Sequence, residues 1–125
     1  MCIRDRIEQA NETGIAVVNA AIYGGGILAR PRGTSTSYGY RPAREATLNA
    51  IWCMADLCEQ WNTDLATAAL QASLRDRRIS STVIGFSKPG RLPSILTASA
   101  TELPETFWSE LEQLMPAREN WLDFQ

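Results

Sequence analysis

Residues 81–92 read STVIGFSKPGRL and predict a buried strand that runs directly into a turn and then a helix. Residues 82–84 are β-branched, as a strand buried on both faces requires. Gly85 ends the strand, because glycine interrupts regular structure. The segment therefore predicts a strand-turn-helix unit, which is the repeating element of α/β folds.

The turn after this strand has the chemistry of phosphate binding. Ser87 can cap the following helix, and Pro89 suits its first turn. Free backbone N–H groups and the positive end of the helix dipole would then lie above the carboxyl end of the strand. Lys88 and Arg91 add two full positive charges. An anion-binding turn is predicted, and a plain helix cap with two solvated cations is the alternative.

A second segment, 14–28 with the sequence GIAVVNAAIYGGGIL, again predicts a buried strand that opens into a glycine loop. The segment 65–76, LATAALQASLRD, lies just before the strand at 82–84. Two strands separated by helices fit a βαβ repeat. The three segments together resemble the carboxyl-terminal part of an aldo/keto reductase. The closest resemblance is to D-threo-aldose (L-fucose) and L-galactose 1-dehydrogenases, and it runs from about Ile7 to the end.

The resemblance implies an α/β fold in which these strands are the seventh and eighth of a (β/α)8 TIM barrel, present with their helices. The chain has 125 residues, whereas a whole barrel needs roughly 250, so an incomplete barrel is expected. We assign residues 7–125 to the carboxyl-terminal part of an aldo/keto reductase domain. Residues 1–6, MCIRDR, match the translation of a transposase adapter used in sequencing libraries. We expect them to be a non-native leader, and a natural charged amino terminus is the alternative.

The remaining pattern predicts helices and one long loop. The predicted strands cover residues 15–21 and 82–86. Helices are predicted over 7–12, 43–61, 64–77 and 89–99, with a last helix opened by Pro104. A loop as long as 23–41 without secondary structure is usually functional or disordered. The resemblance implies a flap over cofactor and substrate, and a mobile insertion is the alternative.

Residues after both strands match the cofactor-binding positions of the family. The resemblance implies that the backbone of Tyr23, Gly24 and Gly25 approaches the cofactor pyrophosphate, since glycine allows close approach. The usual nicotinamide-stacking aromatic falls on Ala20, so Tyr23 is either that platform or an ordinary core aromatic. After the second strand, the positions that match the adenosine-phosphate cradle are Gly85, Phe86, Ser87, Lys88 and Arg91.

The cofactor that the resemblance implies is NADP or NAD. Arg91 can pair bidentately with the 2′-phosphate of NADP, whereas Lys88 is a point charge. The carboxylate and asparagine that often contact adenine in the family are replaced by Ser94 and Ile95. The sequence therefore does not distinguish the two cofactors.

No catalytic residue is expected in this chain. In the family, Asp, Tyr, Lys and His on the first four strands assist hydride transfer, and this chain contains no histidine. The resemblance implies an NAD(P)-dependent oxidoreductase that acts on a small carbonyl or sugar substrate and oxidises an aldose at C1 to its lactone. The fragment alone is expected to be inactive. The alternative is a free-standing α/β module that binds an anion or a protein partner without catalysis.

Composition argues against several other functions. The net charge of −2 and pI near 5.1 provide no basic field for nucleic acid or an anionic membrane. No apolar run reaches the roughly 18 residues of a membrane helix. No Cys/His or Asp/Glu cluster has metal-ligand spacing. The three cysteines, with Cys53 and Cys58 five apart on one predicted helix, form no disulfide framework and indicate reduced thiols in the cytoplasm.

Overall fold

A computed structural model describes residues 3–121 of the chain. This part contains five α-helices, four two-residue strands and three short 3₁₀ segments. The helices are α1 (Ile3–Glu12), α2 (Glu45–Gln60), α3 (Leu65–Arg75), α4 (Leu92–Ala100) and α5 (Glu105–Gln113). The strands are β1 (Val18–Asn19), β2 (Ser37–Tyr38), β3 (Arg41–Pro42) and β4 (Ser81–Thr82). The 3₁₀ segments are Gly24–Ala29, Pro89–Arg91 and Arg118–Asn120.

Strands β1 and β4 pair in parallel, which confirms the predicted pairing of the two segments. Val18 lies opposite Ser81, and Asn19 lies opposite Thr82. The strands are shorter than predicted, and the expectation that 82–84 is buried on both faces is wrong. Val18 is 61% exposed and Val83 is 53% exposed. An apolar, β-branched pattern is typical of strands covered on both faces, and within residues 3–121 Val18 and Val83 lack such a cover.

The hydrophobic core lies between α2, α3 and α5. Its buried members are Leu57, Cys58, Ala68 and Phe107, around which further large side chains pack. Phe107 meets the rings of Trp61 and Trp108 edge to face, with ring centroids 6.1 and 5.1 Å apart. Edge-to-face contacts suit the charge distribution of aromatic rings, so this cluster fixes the angle of α5 against α2.

The helix ends differ from the prediction in several places. Helix α1 begins at Ile3 rather than at residue 7, so it includes part of the expected leader. The cap of α3 is Asp64, whose carboxylate accepts a hydrogen bond from Thr67 N at 2.7 Å. The prediction that Ser87 caps the helix after β4 is wrong, because the cap position is Lys88 and no side chain makes the capping bond.

Residues 23–41 contain secondary structure, contrary to the expected structureless loop. The 3₁₀ segment is followed by an antiparallel hairpin in which Tyr38 pairs with Arg41. Arg32 anchors the intervening turn to α2, since its guanidinium donates to Trp52 O at 3.0 Å and pairs with Asp56 at 3.0 Å. No helix in the described part of the chain is long and apolar enough to cross a membrane.

Candidate functional site

The loops that follow β1 and β4 meet at the carboxyl ends of these strands and enclose a cavity of about 390 Å³. Parallel strands bring their carboxyl ends to one edge, which explains why residues about 60 positions apart in the chain share this site. Four predicted ligand residues line the cavity: Tyr23, Gly25, Gly85 and Arg91. The other lining residues include Ala20, Ala21, Ile22, Gly26, Ala29, Arg30, Tyr40, Val83 and Ile84.

The other four predicted residues do not line this cavity. Gly24 is buried beneath the hairpin. Phe86, Ser87 and Lys88 are exposed on the turn that continues from Gly85. They directly follow Gly85, which lines the cavity, and their side chains are open to solvent.

The charge of the cavity wall is positive. Arg30 and Arg91 both line it, and no Asp or Glu does among the described residues. Partial burial raises the pKa of the Tyr23 phenol, the positive charge of Arg91 opposes this, and Asp64 adds a smaller raising effect. The Tyr23 phenol is therefore neutral at physiological pH and lies within the electrostatic reach of Arg91. A wall of this kind favours an anionic ligand.

The three glycines after β1 each leave room for a different part of the chain. Gly24 has φ +60°, and a Cβ there would lie 2.6 Å from Cδ2 of Tyr38. Gly25 has φ +78°, and a Cβ there would lie 3.1 Å from the backbone N of Tyr40. At Gly26 the neighbour is the Arg30 guanidinium. The glycines therefore allow the hairpin and Arg30 to pack against this loop, in addition to any approach of a ligand.

A buried polar network connects the two strands to α3. The Asn19 amide donates to Ser73 Oγ at 2.8 Å, and Ser73 Oγ lies 2.8 Å from Thr82 Oγ1. Ser73 is only 5% exposed, so its bonds are shielded from water. Hydrogen bonds of this kind fix the relative position of β1 and β4 just before the two ligand loops begin.

The turn after β4 offers the donors that a phosphate requires. Residues 85–88 are exposed, and no acceptor within residues 3–121 pairs with their backbone N–H groups. The charges of Lys88 and Arg91 lie on the same turn and at its end. Free backbone N–H groups beside cations are donors that an anion can use. These residues fit the phosphate of a dinucleotide cofactor.

Sequence reasoning missed Arg30 and Tyr40 as residues of this cavity. Both lie in the long loop, where the pattern of a strand or a helix provides no register. Two short segments separated by turn residues near Tyr40 are typical of a hairpin. This pattern could have identified the region that contributes both residues. The Ser73 network was also missed, because a serine within an apolar helical stripe has no distinctive pattern.

A larger cavity of about 420 Å³ shares Ile22 with this one, and its mostly apolar walls are formed mainly by α2, α3, α5 and residues 115–121. Its lining includes Ile51, Ala68, Leu111, Met115 and Trp121 and none of the eight predicted ligand residues. The described residues contain no group of three or more His, Cys, Asp or Glu side chains that could hold a metal ion.

Comparison with known proteins places the chain in a family. Residues 4–116 match the model of the aldo/keto reductase family, so this chain belongs to that family. It is 31% identical over 102 residues to a pyridoxal 4-dehydrogenase of Microbacterium luteolum, covering 82% of this chain and 30% of that protein. It is 30% identical over 106 residues to a D-threo-aldose 1-dehydrogenase of Pseudomonas sp, covering 82% of this chain and 31% of that protein.

The family assignment confirms the resemblance found in the sequence. Aldo/keto reductases are (β/α)8 barrels that generally use NAD(P), and the α/β structure of this chain is a part of such a fold. The chain spans about a third of the length of the curated relatives it matches. Both relatives are named as dehydrogenases.

Proposed function

We propose that this chain is the carboxyl-terminal part of an NAD(P)-dependent oxidoreductase and that it binds the phosphate groups of the cofactor. In this proposal β1 and β4 are the seventh and eighth strands of the barrel. The observation that carries it is the single cavity that Tyr23, Gly25, Gly85 and Arg91 share at the carboxyl ends of two paired parallel strands. Loops after the last strands of such barrels commonly bind phosphate.

Each part of the site has a role in this proposal. The N–H groups of residues 85–88 donate to the phosphate on the adenosine half, and Arg91 adds a charged fork to it. Lys88 contributes a second charge without fixed geometry. The loop that contains Gly25 lies against the pyrophosphate, and the partly buried Tyr23 adds its ring to the lining of the cavity. Arg30 brings a further positive charge to the wall.

We further propose that the complete protein oxidises an aldose at C1 to its lactone. In this reaction C1 would lose a hydride and its hydroxyl group a proton. Bound NAD(P)+ would supply the hydride acceptor, and the base would lie in the part of the barrel outside this chain. The name of the D-threo-aldose 1-dehydrogenase relative supports an aldose substrate. The exposure of Val18 in β1 and of Val83, which directly follows β4, supports further strands beyond those of residues 3–121.

The experiment begins with the source DNA, where the reading frame should continue upstream into more strand-helix units that carry the Asp, Tyr, Lys and His set. The complete protein is then assayed at 340 nm with NAD+ and NADP+ against D- and L-aldoses and pyridoxal. We expect aldose-dependent NAD(P)H formation by the complete protein and none by the 125-residue chain. A complete protein that oxidises pyridoxal but no aldose would contradict the proposed substrate, and turnover by the short chain would contradict the proposed division of roles.

A further inference from the structure

Tyr40 has an unusual backbone conformation. It lies with Gly39 in the two-residue turn of the β2–β3 hairpin, and both residues have positive φ, +60° at Gly39 and +67° at Tyr40. This mirror-image turn suits the twist of a hairpin, but it normally has glycine or asparagine at these positions. A bulky residue with positive φ is an outlier that calls for a reason.

The hairpin holds Tyr40 in a defined place. Gly39 N donates to Gly24 O at 2.9 Å, and the Tyr38 ring packs where a side chain on Gly24 would be. At the base of the hairpin, Ala43 N donates to Thr36 O at 2.9 Å. The turn is therefore fixed to the glycine loop, and the Tyr40 side chain starts from an anchored backbone.

The surroundings of the Tyr40 ring point to a ligand. The side chain lines the cavity that Arg30 and Arg91 also line, yet the residue is 81% exposed. Its Cδ1 would lie 3.6 Å from a Cβ on Gly25, so the ring stands over the glycine loop. Within residues 3–121, no hydrogen bond, ion pair or ring contact engages this side chain. Packing within the described part of the chain does not explain an aromatic residue here.

We propose that Tyr40 binds the ligand by stacking on a planar base that is attached to the phosphate held by the cavity cations. Two arginines and one exposed aromatic residue that line the same cavity match the two parts of a nucleotide, an anion and a flat ring. This inference rests on the proposed function, and it adds a residue that the sequence did not indicate. The base belongs to either the nicotinamide or the adenine half of the cofactor.

The test measures the binding of nicotinamide mononucleotide and of 2′,5′-ADP to the complete protein by calorimetry. Tyr40→Asn removes the ring and retains a residue that tolerates positive φ, so it should unfold at the same temperature as the wild type or higher. We expect it to weaken the binding of one of the two ligands by about tenfold, which identifies the stacked base. Tyr40→Phe keeps the ring and should bind both within about twofold of the wild type. Leu96→Asn, a change at a 58% exposed position outside the cavity, is the matched control.

The outcomes separate this inference from the proposed function. If Arg91→Ala weakens 2′,5′-ADP binding while Tyr40→Asn binds both ligands normally, the stacking role is wrong and the phosphate site stands. If Tyr40→Phe loses as much as Tyr40→Asn, the hydroxyl group and not the ring is responsible, which also overturns stacking. If the wild type binds neither ligand, both proposals fail. Tyr40→Leu, which also lacks an aromatic ring, replaces Tyr40→Asn if the asparagine variant does not fold.

Discussion

Replacement of Arg91 by alanine in the complete protein should weaken the binding of NADP+ much more than that of NAD+. Arg91 lines the positive cavity, and its own backbone N–H donates to Lys88 O at 3.0 Å, which fixes the start of its side chain. No ion pair engages its guanidinium within residues 3–121, so the group is available to a ligand. Only the 2′-phosphate offers it a charged bidentate acceptor on the adenosine ribose.

The magnitude follows from the value of a hydrogen bond to a charged group, about 1.5–3 kcal/mol. This range corresponds to a dissociation constant for NADP+ that rises roughly ten- to a hundredfold. Because Arg91 is exposed, water screens its charge and the lower end of the range is expected. The dissociation constant for NAD+ should change by less than about twofold.

The assay is titration of cofactor fluorescence with the wild type and the Arg91→Ala variant. Arg77→Ala provides the matched control, because Arg77 is also exposed but lies after α3 and outside the cavity. It should leave both dissociation constants unchanged. Equal losses of NADP+ and NAD+ binding in Arg91→Ala would refute the reasoning, since they would mean that Arg91 supports the fold or the pyrophosphate.

Three further predictions concern the fold. Gly24→Ala should reduce the free energy of unfolding by about 1–3 kcal/mol more than Gly14→Ala, because both have positive φ but only Gly24 faces the Tyr38 ring; equal losses in urea titrations would contradict the packing argument. Ser73→Ala should reduce the free energy of unfolding by about 1–3 kcal/mol, because it leaves the Asn19 amide without its acceptor. The control Ser99→Ala, at an exposed position of α4, should change the free energy of unfolding by less than about 0.5 kcal/mol. An unchanged free energy of unfolding in Ser73→Ala would exclude a stabilising network. Burial, with a smaller contribution from Asp64, raises the pKa of Cys58 from 9.0 to about 11, so the unfolded chain loses this proton first. The free energy of unfolding should therefore fall as the pH rises from 9.0 to about 11, and Cys58→Ala should make this fall less steep. An equally steep fall in Cys58→Ala would mean that another group is responsible.

The parallel strand pair could be predicted from the sequence, but its burial could not. Two β-branched segments that each end in glycine, with helices between them, specify parallel pairing by local pattern alone. Exposure of Val18 and Val83 depends on which other strands are present, and no pattern inside the segment contains that information. The same limit applies to strand length, since pairing with neighbours on both sides extends a strand.

The candidate site was predicted where it follows strand ends and missed where it depends on the loop. Tyr23, Gly25, Gly85 and Arg91 could be found because a strand end fixes the position of the next residues. Tyr40 reaches the cavity only because the hairpin packs on the glycine loop, which is a tertiary contact that sequence spacing does not encode. The capping role of Ser87 failed for a related reason, since a 3₁₀ turn replaces the first turn of the expected helix.

The most direct test of the account is the position of the cofactor phosphate in the complete protein. A crystal structure with NADP+ should place oxygens of the 2′-phosphate about 3 Å from the Arg91 guanidinium and from backbone N–H groups of residues 85–88. The pyrophosphate should then lie along the loop that contains Gly25. A bound NADP+ whose 2′-phosphate contacts none of these groups would contradict the claim that this turn is the phosphate site.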